Sequence, residues 1–141
     1  MKKSMVTLGL LASFSAFAAE NMHVEILDPY VRLAPENAQN SAAFLRLKNN
    51  SDVPIVLVEA NNPASKVTEL HDHKHEDGVM KMVKIDSIDL IPQQETELKP
   101  GSLHIMLIGL KEPLKEGQSI DFTLKFKDET TKTFSAVVKK Q

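Results

Sequence analysis

From Ile120 to Lys127 apolar and polar residues alternate without a break: Ile120, Phe122, Leu124 and Phe126 against Asp121, Thr123, Lys125 and Lys127. Successive side chains of a strand point to opposite faces, so this run can only be a strand with one buried and one wet face. Ala43, Leu45 and Leu47 oppose Arg46 and Lys48 in the same way. No stretch carries a helical period through three turns, and only short turns are expected near Pro63–Ser65 and Leu110–Leu114. The candidate strands are Val24–Leu27, Tyr30–Leu33, Ala42–Lys48, Pro54–Ala60, Val67–His71, Val79–Val83, Ser87–Leu90, Glu95–Lys99, Leu103–Ile108, Ile120–Lys127 and Thr131–Val138. Turn signals separate them: Asp28-Pro29, Asn49-Asn50-Ser51, Asn61-Asn62-Pro63, Glu76-Asp77-Gly78, Pro100-Gly101 and Glu116-Gly117. Short, β-branched segments at this spacing define an all-β sandwich or barrel, read as one domain.

The first 18 residues are read apart from that domain. Lys2 and Lys3 precede a short apolar run from Met5 to Phe14, and Ala16-Phe17-Ala18 has the small-x-small pattern of a cleavage site. Residues 1–18 are therefore expected to be a cleaved signal peptide, with residues 19–141 the folded domain of an exported, periplasmic protein. Of the 17 Lys and Arg residues, removing Lys2 and Lys3 leaves 15 against 19 acidic groups, a net charge of −4. A mildly acidic surface argues against nucleic acid or an anionic membrane as partner. Insertion into a membrane is not expected either, because the apolar run falls short of about 18 residues.

The chain contains no cysteine. In an oxidising compartment that excludes disulfide staples, thiolate ligands and thiol redox chemistry. Packing alone must hold the core, and any sulfur offered to a metal must be methionine thioether.

Against that background one stretch stands out, Thr68-Glu69-Leu70-His71-Asp72-His73-Lys74-His75 followed by Glu76-Asp77-Gly78 and Val79-Met80-Lys81-Met82. On strands, residues two apart share a face about 6.5–7 Å apart. Met80 and Met82 therefore project together, as do His104 and Met106 from a later strand. If the strands of His71 and Met82 are neighbours and that later strand joins them, two imidazoles and two thioethers meet. Calcium and magnesium ignore thioethers, and zinc takes thiolate, imidazole or carboxylate in preference. Cu(I), soft and monovalent, matches His71, Met82, His104 and Met106. A blue-copper centre is excluded because it needs a cysteine thiolate.

Secondary candidates flank this set. His73 and His75 read first as solvated side chains of a polar hairpin. Their second reading is a looser imidazole–carboxylate site suited to Cu(II), with Asp72, Glu76 and Asp77 alongside. Met80 reads as a shield for the metal, or as a spare ligand. His23 reads as a chain-end histidine, and Arg32 as a member of an ion pair.

Ten residues separate His71 from Met82, twenty-one separate Met82 from His104, and one separates His104 from Met106. With "ELH" at Glu69–His71, "EDGVMKM" at Glu76–Met82, "LKPGSLHIMLIGLK" at Leu98–Lys111 and "PYVRLAP" at Pro29–Pro35, the chain resembles the periplasmic copper chaperones of the PCu(A)C family. The resemblance covers essentially the whole chain after the leader. It implies a single-domain cupredoxin-like Greek-key β-sandwich that binds Cu(I). It also implies delivery of copper toward the Cu(A) centre of cytochrome oxidase, directly or through a Sco-like thiol protein. Two features depart from the family: Asp72 stands where many members have methionine, and the sequence ends Ser135–Gln141 without the His- and Met-rich tail of some members.

Two other functions compete with that of a chaperone. A copper- or silver-sequestering buffer for metal resistance would use similar ligands but need no specific acceptor. A copper enzyme is disfavoured, since two thioethers hold Cu(I) against redox cycling and no acid/base or nucleophile constellation accompanies them.

Overall fold

The computed structural model describes residues 18–140, so the expected leader lies outside the described residues but for Ala18. Ten strands follow one another: β1 Val24–Arg32, β2 Asn40–Asn49, β3 Ile55–Asn61, β4 Ser65–Glu76, β5 Val79–Ile85, β6 Ile88–Leu90, β7 Glu95–Leu98, β8 His104–Leu110, β9 Ser119–Phe126 and β10 Thr131–Lys139. The described residues contain no helix, as the missing helical period predicts. Hydrogen bonding joins the strands in the order β5-β4-β8-β2-β1-β10-β9-β3-β6, with β7 on a second stretch of β2. All pairs are antiparallel except β1 with β10, which run parallel.

This path folds back on itself around a single core. Val31, Ala43, Leu45, Leu70 and Ile105 bury one half of the sheet against Leu57, Leu90, Phe122, Leu124 and Phe126 of the other. The alternating faces of β2 and β9 therefore point where their sequences require. The result is an all-β, cupredoxin-like sandwich.

Two expectations changed in detail. Asp28-Pro29 does not divide two strands; β1 runs through it, with a register shift between Leu27 and Tyr30 and Asp28 at φ 48°. A bulge accommodates an extra residue and a proline, which has no N–H for the ladder. β4 does not stop at His71 but continues to Glu76. Its last residues are polar on both faces, so no apolar alternation marks them as strand. The Asp77-Gly78 turn extends them instead. Both residues have positive φ, 52° and 76°, the geometry of a type I′ two-residue hairpin. Pairing of β4 with β8 ends at His71↔His104, so beyond that point β4 and β5 leave the sheet as a two-stranded hairpin.

Candidate metal centre

The Asp77-Gly78 turn fixes which residues face one another. Glu76 pairs with Val79, and counting inward gives His75↔Met80, His73↔Met82 and His71↔Lys84. Met82 thus lies directly opposite His73 and diagonally from His71, still within reach of a long side chain. On the other flank of β4, His71 pairs with His104 and Glu69 with Met106. Since Leu70 and Ile105 point into the core, their neighbours His71, His104 and Met106 occupy the opposite face.

That outer face is not bare. Phe44 of β2 is buried there beneath Tyr30, with ring centroids 5.3 Å apart, and the Arg32 guanidinium stands 5.0 Å over its ring. Phe44 in turn backs the His104 ring at 6.2 Å. His104 is flanked by two more imidazoles, His71 at 5.6 Å and His73 at 5.3 Å between centroids. His73, Met82, His104 and Met106 line a common cavity with Phe44 and Arg32. The two ligand candidates deepest in the face, His71 and His104, are 8% and 3% exposed, whereas Met82 is 47% exposed. All four motif residues therefore share one face, and His73 lies among them beside His104. His73 is half-buried, not a solvated hairpin side chain. His75 and Met80 lie farther out on the hairpin, both exposed. His23 is remote from this face, beside Phe126 and Asp128.

The hydrogen bonds settle which nitrogens are available. A carbonyl oxygen only accepts, so His104 must donate Nδ1–H to the Ser102 carbonyl, 2.8 Å away. Its Nε2 then carries a lone pair, and 3.1 Å from it stands the Met82 sulfur, also electron-rich. Neither atom has a hydrogen for the other. Two lone-pair donors converging at this distance suit a shared cation. Protonating His104 would be the other way to reconcile them, but its pKa lies below the ordinary histidine value. Burial is the main cause; the Ser102 carbonyl opposes it, and the charges of His71, His73 and Arg32 add to the lowering.

His71 follows the same logic with its nitrogens exchanged. Its Nε2 lies 2.6 Å from Glu69 Oε2, and a carboxylate accepts, so Nε2 carries the hydrogen. Nδ1 is left buried and without a hydrogen-bond partner. A carboxylate behind an imidazole is the usual device for orienting a metal-binding histidine and raising its basicity. Among the described residues no three His, Asp or Glu side chains are grouped to hold a metal ion. The candidate donors of this face are thus imidazoles and thioethers together.

The motif's residue types and spacing do not mark Ser102 or Glu69 as part of this site. Ser102 acts through its backbone carbonyl, which no side-chain pattern advertises. Glu69 was legible in principle, because it precedes His71 by two on the same strand face.

The lowered pKa of His104 sets a sign for stability. The unfolded chain takes up this proton as pH falls through about 6.5, while the folded chain resists until lower pH. The contribution is therefore complete above about 6.5 and is lost progressively below it. Urea unfolding of the metal-free protein at about pH 7.5 and 5.5 should show stability falling with acid. His104→Gln should make that dependence shallower; an unchanged dependence would show that His104 is not the group resisting protonation.

Fold and site together define a cupredoxin-like sandwich with an imidazole–thioether cluster on its outer face. The family model described as "Putative lipoprotein LpqE-like" matches residues 24–138. The putative lipoprotein Lxx21020 of Leifsonia xyli subsp. xyli is 38% identical over 100 residues, 70% of this chain and 60% of that protein. The uncharacterized protein RP573 of Rickettsia prowazekii is 35% identical over 100 residues, 70% of this chain and 55% of that one. The chain thus spans a little over half the length of these curated relatives. Among solved structures, the apo PCuAC domain from PmoF1 superposes with a TM-score of 0.71 at 20% identity, covering 84% of this chain and 95% of that domain. The Cu(I) form of DR1885 from Deinococcus radiodurans gives 0.62 at 32% identity, covering 92% and 84%. The chain belongs to the LpqE-like family and, as its motif spacing implied, to the PCu(A)C group of domains.

Proposed function

We propose that this protein is a copper chaperone of the periplasm, binding Cu(I) through His71, Met82, His104 and Met106 and passing it on without chemical turnover. The observation that carries the reading is the pair of lone-pair donors, His104 Nε2 and Met82 Sδ, converging at 3.1 Å. A soft monovalent cation satisfies imidazole and thioether together, and the buried, unpartnered Nδ1 of His71 offers a third donor. The Cu(I)-bound relative from Deinococcus radiodurans supports the choice of metal. A lipoprotein among the relatives supports export.

A carrier must also release its cargo. Met82 is half exposed, so an incoming ligand reaches the ion from that side while His71 and His104 hold it from below. The acceptor in this reading is the Cu(A) centre of cytochrome oxidase, or a Sco-like thiol protein that serves it. A thiolate acceptor would draw Cu(I) from neutral thioethers by charge as well as softness.

X-ray absorption of the Cu(I)-loaded protein tests the site, and sulfur and nitrogen scatterers should appear together in the first shell. A shell of nitrogen and oxygen alone would rule the assignment out. Metallation of an apo oxidase Cu(A) domain tests the acceptor. Retention of copper in its presence would instead mark a sequestering protein.

A further inference from the structure

The hairpin that leaves the sheet beyond His104 carries a second histidine–methionine pair, and the motif does not use it. Register places His75 directly opposite Met80, as it places His73 opposite Met82. Directly opposed residues on antiparallel strands have Cβ atoms about 4.5–5.5 Å apart. Because strand side chains repeat every two residues, both pairs lie on one face, the outer pair about 7 Å beyond the inner. The register is firmly set, since Asp77 and Gly78 both hold the positive φ of a two-residue turn. A slip of one residue would send both methionines to the opposite face.

Exposure makes the arrangement notable. Met80 and Met82 are 49% and 47% exposed on a hairpin whose β4 strand has no further partner beyond His71. Neither serves the core, and each stands across from an imidazole. His73 already reaches inward, its Nδ1 3.2 Å from the Ser102 carbonyl that also holds His104. The face therefore presents soft donors in steps, from the exposed His75–Met80 pair through His73 and Met82 to His104.

We infer that His75 and Met80 form a second, weaker Cu(I) site, an outer station on the route between solvent and the His104–Met82 site. This rests on the copper reading of the inner site. Two neutral donors without a third make it weaker than the inner set, as a station that must release its ion requires. Ligand exchange along the ladder leaves copper monovalent throughout, so no oxidant or reductant is involved.

Protein labelled with carbon-13 at the methionine methyls, titrated anaerobically with Cu(I), reports each thioether separately. The first equivalent should shift the Met82 and Met106 methyls. The second should shift Met80, while Met22 stays still. His75→Ala should abolish the Met80 shift and leave the response to the first equivalent intact. If Met82 and Met106 respond but Met80 stays still beyond one equivalent, the outer station does not exist. A Met80 shift that survives His75→Ala overturns the pairing. If Met82 and Met106 fail to respond at all, the inner copper site itself is wrong.

Discussion

Met82→Leu and Met106→Leu should each weaken Cu(I) binding by about a hundredfold or more while leaving the fold nearly untouched. Altering groups that merely support a metal ligand typically costs about 10–100-fold, and removing a donor should cost no less. Leucine keeps the size and apolarity of methionine, and such swaps usually cost less than about 1.5 kcal/mol. At Met82 the cost should be smaller still, because the side chain is 47% exposed and contributes little to packing. Met106 lies deeper, between Ala42 and Glu69 on adjacent strands, yet on the face away from the main core. Competition with a Cu(I)-specific chelator gives the affinities, and urea unfolding of the metal-free variants gives the stabilities. Unchanged affinity in either variant would show that its sulfur is not a ligand. A collapse in stability would mean that the methionine is core filler and that its alignment with the histidines is incidental.

The candidate side chains of this face are more legible in the sequence than their geometry is, and the reason lies in what each residue contributes. The candidates His71, Met82, His104 and Met106 offer imidazole and thioether, groups whose types and spacing are visible in the sequence itself. The two-residue period of β8 then places His104 and Met106 on one face without any structure. Register was not legible to the same degree. A turn over Glu76-Asp77-Gly78 and a turn over Asp77-Gly78 alone differ by one residue, which decides whether Met82 meets His73 or its neighbours. Only the positive φ of both Asp77 and Gly78 selects the shorter loop. His73 consequently reads as a solvated side chain in the sequence and proves to be half-buried beside His104. The extension of β4 to Glu76 was hidden for a related reason: strand residues wet on both faces carry no apolar alternation. The core, by contrast, was open to reading, since Ile120, Phe122, Leu124 and Phe126 are all buried as their pattern demands.

That self-sufficient core underlies the second large effect, in stability. Phe122→Ala should destabilise the protein by about 3–5 kcal/mol, whereas stripping copper from the wild type should leave a cooperative unfolding transition. Phe122 is fully buried and stacked on Phe134, with centroids 5.2 Å apart and planes 7° from parallel. Its removal opens a cavity in the buried cluster to which it belongs with Ile120 and Leu124 of the same strand face, and rigid strands on both sides limit collapse into it. Against a total stability of about 5–15 kcal/mol this is a large fraction. Bound copper acts differently. It adds stability only by mass action, growing with the ratio of free metal to dissociation constant, and leaves the core contacts unchanged. Urea unfolding of wild type and Phe122→Ala, each with and without Cu(I), separates the two. The variant should unfold at lower urea in both states, with a copper increment similar to that of the wild type, because Phe122 lies across the core from the metal face. Loss of the cooperative transition in the metal-free wild type would mean that copper is a structural staple of this sandwich and not its cargo.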